Sequence, residues 1–274
     1  MRVPIMRRSV QNMGYYIGKE PGGCFLAIED GRPVGTISTH VWGSVGWFGP
    51  LEVDPRFQDR GIGKQLVNVS VNHLRSRGCS TIGCETMAGS ARNIAFYHKL
   101  GFRSRGLSHV MFKQLGDIPP EKTIGQGVAD FKEGSSTDRF KEQWNRILPG
   151  LDYSVEIDSA IRYRLGRIFV TDTGARSSHA IVHTHQMFED SQNAILKLLV
   201  AEKEEQAQAL LEACETAAAI EGKTGMFIRT YDVTPPDIAW LFRNGYHQQG
   251  VSVRLLLQGN DESGTLNHIS CWSG

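Results

Sequence analysis

The run Gln58-Asp-Arg-Gly-Ile-Gly63 lies between a strand-like segment and an amphipathic helical pattern. Glycines at 61 and 63 permit a tight turn and let bare backbone N–H groups approach a ligand. Those groups sit where a helix begins, and the dipole there favours an anion. Arg60 and Lys64 add positive charge at the same point, so the expected guest is a pyrophosphate. The Gly-x-x-x-x-Gly-Lys-Ser/Thr spacing of a Walker loop is absent, and a single Gly-x-Gly falls short of the dinucleotide fingerprint. Taken alone, the pair of glycines reads better as a plain tight turn; the surrounding elements decide.

Those elements are legible from periodicity. Cys24–Ile28 and Val34–Val41 read as two strands of a hairpin closed by Glu29-Asp-Gly-Arg32. Gly46–Val53 is a third strand, ended by Asp54-Pro55. Ile62, Leu66, Val67, Ser70 and Leu74 then share one helical face, with Gly78 as the stop. Thr81–Cys84 is a short strand, Ser90–Leu100 a helix capped by Ser90 and ended by Gly101, and His109–Phe112 a closing strand. From Lys113 to about Phe140 the apolar period fades, which predicts a linker. After it the same order returns. Ala194–Val200 is a strand, a long helix carries Ala207, Leu210, Leu211, Cys214 and Ala218, and Met226–Thr230 is a strand. A short helix near Asp237–Arg243 and a strand at Val251–Leu256 complete it. Phe96-Tyr-His-Lys-Leu-Gly-Phe102 and Trp240-Leu-Phe-Arg-Asn-Gly-Tyr246 end their helices on the same Gly-aromatic step, an internal repeat at domain scale. The expected organisation is a lobe over residues 1–115, a linker over 116–142 and a second lobe over 143–274.

Composition bounds the partners. The 274 residues suit two domains, and 40% apolar with 22% charged residues is a globular balance. A net charge of +1 offers no field to gather nucleic acid or anionic lipid, so neither is expected as a partner. No apolar run is long enough to span a bilayer, and no apolar signal core follows the basic start Met1–Arg8. A cytoplasmic location is the expectation, while oligomeric state is left open. The five cysteines read as reduced, mostly buried thiols; Cys79 and Cys84 lack a second pair for zinc. His179, His183 and His185 would share one strand face with Ile181. Three imidazoles there could hold a metal, but a solvated or pocket-lining face is the better reading, so no metal is expected. Asp152 fits either a cationic acceptor or a helix cap.

Leu51-Glu-Val-Asp-Pro, Gln58-x-x-Gly-x-Gly63 and Asn93-Ile-Ala-Phe-Tyr-His-Lys-Leu-Gly-Phe102 together resemble the GCN5-related N-acetyltransferase (GNAT) superfamily, over roughly residues 20–113. The second half resembles, by its repeat order, the degenerate partner lobe of tandem members. The resemblance implies an α/β (α+β) GNAT fold: two tandem acyl-CoA N-acyltransferase-like lobes, each a mixed, mostly antiparallel sheet flanked by helices. It implies acetyl-CoA as cosubstrate. Leu51 and Val53 would offer backbone groups to the pantetheine arm. Gln58, Asp59, Arg60, Gly61, Ile62, Gly63 and Lys64 would take the pyrophosphate, and Asn93 and Tyr97 would face the thioester. The superfamily usually opens with a strand and two helices, yet only about twenty residues precede Cys24. The second lobe is therefore expected to complete the acceptor pocket.

The implied chemistry is acetyl transfer to an amine. An alkyl amine has a pKa of about 10.4, so presenting it neutral at pH 7 costs about 4–5 kcal/mol. Tyr97, matching the superfamily tyrosine near the sulfur, is expected to act as general acid, with a packing tyrosine as the alternative. Glu85, placed at a strand end, is the candidate base, evenly balanced against a solvated loop glutamate; water passing the proton to a backbone carbonyl is another. Glu52 ranks lower because alternation turns it from the face of Leu51 and Val53. The favoured acceptor is a small-molecule amine. The alternatives are a non-catalytic acyl-CoA sensor and a protein lysine or N-terminal acetyltransferase. Only the first lobe should bind CoA, because Val200–Ala207 has no glycine, Glu202, Glu204 and Glu205 crowd the helix start, and Leu241 stands where Tyr97 would.

Overall fold

A computed structural model describes residues 9–116, 124–125, 127–171, 177–185 and 192–272. Helix α1 (Val10–Lys19) precedes the hairpin of β1 (Cys24–Glu29) and β2 (Arg32–Trp42). The hairpin turns through Asp30 and Gly31 at φ 50° and 74°, the left-handed pair whose twist suits two-residue hairpins. β3 (Val45–Val53), α2 (Ile62–Ser76), β4 (Thr81–Met87), α3 (Ala91–Lys99) and β5 (Arg103–Gln114) follow. Ser90 caps α3 by accepting from the Asn93 amide, and Gly101 ends it at φ 92°. Helix α1 has no counterpart among the predicted elements. Its Tyr15 hydroxyl and Lys19 ammonium both reach the buried Glu156 carboxylate, so it is tied to the second half of the chain.

The stretch read as a linker is partly ordered. Residues 117–123 and 126 lie outside the described residues, but Val128–Asp130 forms β6, and α4 (Asp138–Ile147) starts inside the same stretch. α4 buries Phe140, Trp144 and Ile147, a spacing of four and three that lays them on one face. After α5 (Ser154–Arg162) come β7 (Gly166–Thr171), β8 (His179–His183), β9 (Asn193–Ala201), α6 (Glu204–Ile220), β10 (Gly225–Tyr231), α7 (Ile238–Arg243), β11 (His247–Gln258) and β12 (Asn267–Ser270).

Among the described residues, twelve strands form one sheet in the order β1-β2-β3-β4-β11-β5-β10-β9-β8-β7-β6, with β12 beside β9. β11 thus lies between β4 and β5, and β5 lies between β11 and β10. The closing strand of each half is laid into the other half. The repeat holds in detail: β3 runs parallel to β4 and β9 parallel to β10. The Phe102 amide donates to the Tyr97 carbonyl as the Tyr246 amide does to Leu241. Helices α2 and α3 cover one face at one end and α6 and α7 at the other, each over its own apolar core. On the opposite face α4 and α5 share a core with Trp42, Trp47, Leu198 and Leu256, drawn from both halves. No helix among the described residues is long and apolar enough to cross a membrane.

Candidate active site

β3 and β4 pair over only Val45–Trp47 and Thr81–Gly83, then part. On the other edge of β3 the register with β2 jumps between Ile37 and Thr39, so Ser38 stands opposite the extra residues Gly49 and Pro50. Such a bulge bends its strand. Past Trp47, β4 offers β3 no ladder partner, and a fork opens between the strands. Two cavities occupy it. One of about 340 Å³ lies against Leu51, Val53 and the Gln58–Lys64 loop, with Arg92, Asn93 and Phe96 opposite. The other, of about 270 Å³, lies between Phe48–Leu51 and Glu85–Met87 over Tyr97. Leu51 and Asn93 line both, so they join the loop to the fork.

The loop turns at Asp59 and Gly61, with φ of 63° and 82°; Asp59 shares the strained role that sequence assigned to glycine alone. Gly61 is the N-cap of α2 and no side chain caps that end, so the first amides of the helix keep their donors free of a side-chain partner. Gly63 is different. It lies within the first turn of α2, and a Cβ there would meet only Phe96 Cζ at 3.6 Å and atoms at 3.9 Å. Its conformation does not need glycine, and a Cβ there would make only ordinary contact, while Gly63 itself lines the larger cavity. Gln58 Nε2 donates to the Val53 carbonyl (3.1 Å), bracing the loop on β3. Arg92 grips the Asp59 carboxylate at 2.8 and 3.0 Å, linking α3 to the loop. Arg60 turns away: its guanidinium meets Glu29 at 3.2 Å and it lines a neighbouring groove along β1. Lys64 and Arg92 are therefore the cations on the larger cavity, and sequence reasoning missed Arg92.

Tyr97 is 7% exposed, packed among Phe48, Phe96 and Phe102, and borders the fork. Burial, with a smaller push from Cys84, raises its pKa well above the usual tyrosine value, so the hydroxyl stays protonated. Glu85, offered from sequence as a base at a strand end, lies within β4. Its Oε1 accepts from Ser108 Oγ (2.6 Å) and from Arg254 Nε and Nη2 (3.2 and 3.0 Å), and its Oε2 from Arg229 Nη1 (3.0 Å). Burial alone would raise this carboxyl, but Arg254, Arg229 and the Ser108 hydroxyl outweigh it and hold it below the usual range. A carboxylate so saturated has little affinity for a proton. Glu52 is exposed, as its alternation predicts.

Residues 3–102 match the acetyltransferase (GNAT) family model. That match spans 100 of the 274 residues, all in the N-terminal half. Over 120 residues it is 34% identical to a mycothiol acetyltransferase of Acidothermus cellulolyticus, spanning 38% of this chain and 36% of that protein. The chain spans 28–56% of the length of the curated relatives it matches. Two solved structures share the fold across both halves. A Pyrococcus horikoshii protein superposes with TM-score 0.73 at 18% identity, covering 96% of this chain and 83% of its own. A tandem GNAT protein from the clavulanic acid pathway gives 0.56 at 15% identity, covering 94% and 91%. The two halves share the two-lobed fold of these structures.

The second lobe differs where the first is open. β9 and β10 pair over Asn193–Leu196 and Gly225–Ile228, and β12 then pairs with β9 from Leu198 to Ala201. The fork between them is filled by a strand. At the start of α6, Gln206 Oε1 accepts from the Lys203 amide, and Glu204 and Glu205 occupy the first turn. The histidines of β8 are neither solvated nor pocket-lining. His179 stacks on Phe140 and accepts from Trp144 Nε1 (2.9 Å), His183 is buried, and His185 is exposed past the strand end. Among the described residues no group of His, Cys, Asp or Glu could hold a metal. Asp152 accepts from the Ser154 amide (2.8 Å) and so serves the start of α5. None of the five cysteines is in a disulfide.

Proposed function

We propose that the chain is an N-acetyltransferase that moves the acetyl group of acetyl-CoA to the amine of a small molecule, using the fork of its N-terminal GNAT lobe. The observation that carries this is the pair of cavities, both lined by Leu51 and Asn93, one at the uncapped start of α2 and the other over Tyr97. The residues present fit the cosubstrate. The α2 amides, Lys64 and Arg92 suit a pyrophosphate, and Gly63 lines the cavity beside them without a side chain. Leu51, Val53 and Asn93 line the way from that anion site to the fork. When bound, acetyl-CoA supplies the activated acyl group.

The protein's own contribution is position and one proton. Tyr97, protonated throughout the working range, donates to the departing sulfur. The fork edge of β3, which β4 leaves without ladder partners, offers polar backbone to the thioester. Glu85 orients Arg229 and Arg254 instead of taking a proton; the proton of the amine leaves through water. A small acceptor is favoured over a protein because the smaller cavity, about 270 Å³, is walled by Arg229 and Ser252 from the second lobe.

The test is thiol release from acetyl-CoA against a panel of amines, amino acids and peptides, with CoA titration calorimetry in parallel. Release dependent on a small amine, with one CoA per chain, supports the reading. CoA binding with no release to any acceptor supports a sensor, and release to peptides alone supports a protein acetyltransferase.

A further inference from the structure

The wall that the second lobe gives to the fork carries charge. Arg229, on β10, lines the smaller cavity with its side chain 22% exposed, whereas Glu85 and Arg254 are each 1% exposed. Its bonds run through Nη1 alone, to Glu85 Oε2 at 3.0 Å and Ser252 Oγ at 3.1 Å. Among the described residues no acceptor meets Nε or Nη2. That edge of a guanidinium is a planar two-donor fork matched to a carboxylate. Glu85 cannot serve as the counter-charge for a ligand, because its oxygens already take four bonds, three of them from Arg254 and Ser108. Arg254 is likewise spent on Glu85 and Glu262. The buried ions thus fix Arg229 in place and leave one cationic edge toward the cavity.

We infer that the acceptor is an amine that also carries a carboxylate, held by Arg229 with Ser252 beside it. The inference rests on the transfer reading above and deepens it: the second lobe sets which amines are used. Within about 270 Å³ the carboxylate sits at the Arg229 wall and the amine toward Tyr97, across the fork. An acceptor without the anion would cover Arg229 and leave its donors unmatched, and sites built around a polar partner reject analogues that lack it.

The experiment uses the full chain with saturating acetyl-CoA. α-Amino acids and short ω-amino acids are each paired with the amine lacking the carboxylate, and ethanolamine phosphate tests whether a phosphate is taken instead. Wild type should favour carboxylate-bearing members about 10- to 100-fold in kcat/KM, the worth of a charge-assisted pair. Arg229→Gln should bring that ratio near one, mainly through KM, and Arg229→Lys should restore part of it. Ser252→Ala, which removes only a hydroxyl, should lower the ratio severalfold and decides the matter if Arg229→Gln does not fold. An unchanged ratio in these variants overturns the inference, as does a wild-type preference for carboxylate-free amines or for ethanolamine phosphate. Wild-type CoA titration separates the two levels. No CoA binding, or CoA binding with no transfer to any amine, defeats the transferase reading itself, whereas transfer confined to carboxylate-free amines defeats this inference alone.

Discussion

Gly63→Ala separates a glycine kept for a ligand from one kept for the backbone. Gly63 lies in the first turn of α2 without a positive φ, and an added Cβ would meet Phe96 and Val53 at 3.6–3.9 Å, ordinary contact. Alanine there should stabilise the free protein by about 0.5–1 kcal/mol, as it does elsewhere in helices. For a chain of this size that is a rise of about 1–4 °C in melting temperature. Gly63 lines the cavity assigned to the pyrophosphate, so the same methyl should narrow it. Overpacking typically costs about 1–3 kcal/mol, so CoA affinity should fall about 5- to 150-fold. Gly61→Ala should behave oppositely in the free protein. At φ 82° its Cβ meets nothing within 4 Å, but the left-handed backbone itself costs a non-glycine residue about 1–2 kcal/mol. Urea titration and CoA calorimetry on both variants read the two quantities separately. Gly63→Ala with CoA affinity within about twofold of wild type would refute the placement of the pyrophosphate at α2.

Three further outcomes are expected. Tyr97→Phe keeps the packing against Phe48 and Phe102 and should leave CoA affinity nearly intact while lowering kcat by about 10²-fold or more, the usual worth of a placed proton donor; wild-type turnover would return Tyr97 to a packing role. Burial depresses His179 and His183 to about 3 from the usual 6.5, so their contribution to stability is full above pH 6.5 and is lost as pH falls. At pH 5 each should cost about 2 kcal/mol, and a combined loss below about 1 kcal/mol between pH 7 and pH 5 in urea titrations would contradict their neutral burial. CoA should titrate to one site per chain, with Glu204→Lys and Glu205→Lys together creating no second site, since β12 and not charge alone fills the β9–β10 fork; a second equivalent of CoA in either protein would count against that.

Local chemistry was legible in the sequence wherever a few neighbouring residues settle a shape. The Asp30-Gly31 turn, the tight turn at Gly61, the Ser90 cap and the Gly78 and Gly101 terminators all act within a turn or two, and the structure has them at the expected residues. Helix α4 was missed although Phe140, Trp144 and Ile147 carried its period, because polar residues around Lys132–Asp138 read as linker. Glu85 was misread for a different reason. Its surroundings come from Ser108, Arg229 and Arg254, three strands that only the sheet order brings to β4. No spacing in sequence announces that β11 will lie between β4 and β5, and the same non-local pairing hides the role of Arg229. The histidines of β8 show the reverse error: alternation suggests a solvated or pocket-lining face, but Phe140 and Trp144 of α4 cover His179 and Tyr15 of α1 lies against His183.

The lobes began alike in pattern and differ by what each does with one fork. In the second lobe the divergence of β9 and β10 is closed by β12, and the chain from Asp261 to Trp272 brings Glu262, His268 and Trp272 into the middle of the protein. Glu262 binds Arg254 and accepts a 2.7 Å bond from His268 Nδ1, so filling that fork completes the ion network that ends at Glu85. Burial works against the Glu262 charge, yet Arg254 and His268 outweigh it and bring its pKa down to about 2. Each ion in the row is compensated by the next, and removing any one leaves an unpaired buried charge. The open fork of the first lobe has no strand of its own to hold its far wall. β11 supplies that wall directly, carrying Ser252 and Arg254 alongside β4, and β10 adds Arg229. Closing one fork therefore stiffens the wall of the other. On the transfer reading, a lobe whose own fork is filled by β12 still shapes the wall that an acceptor would meet in the first.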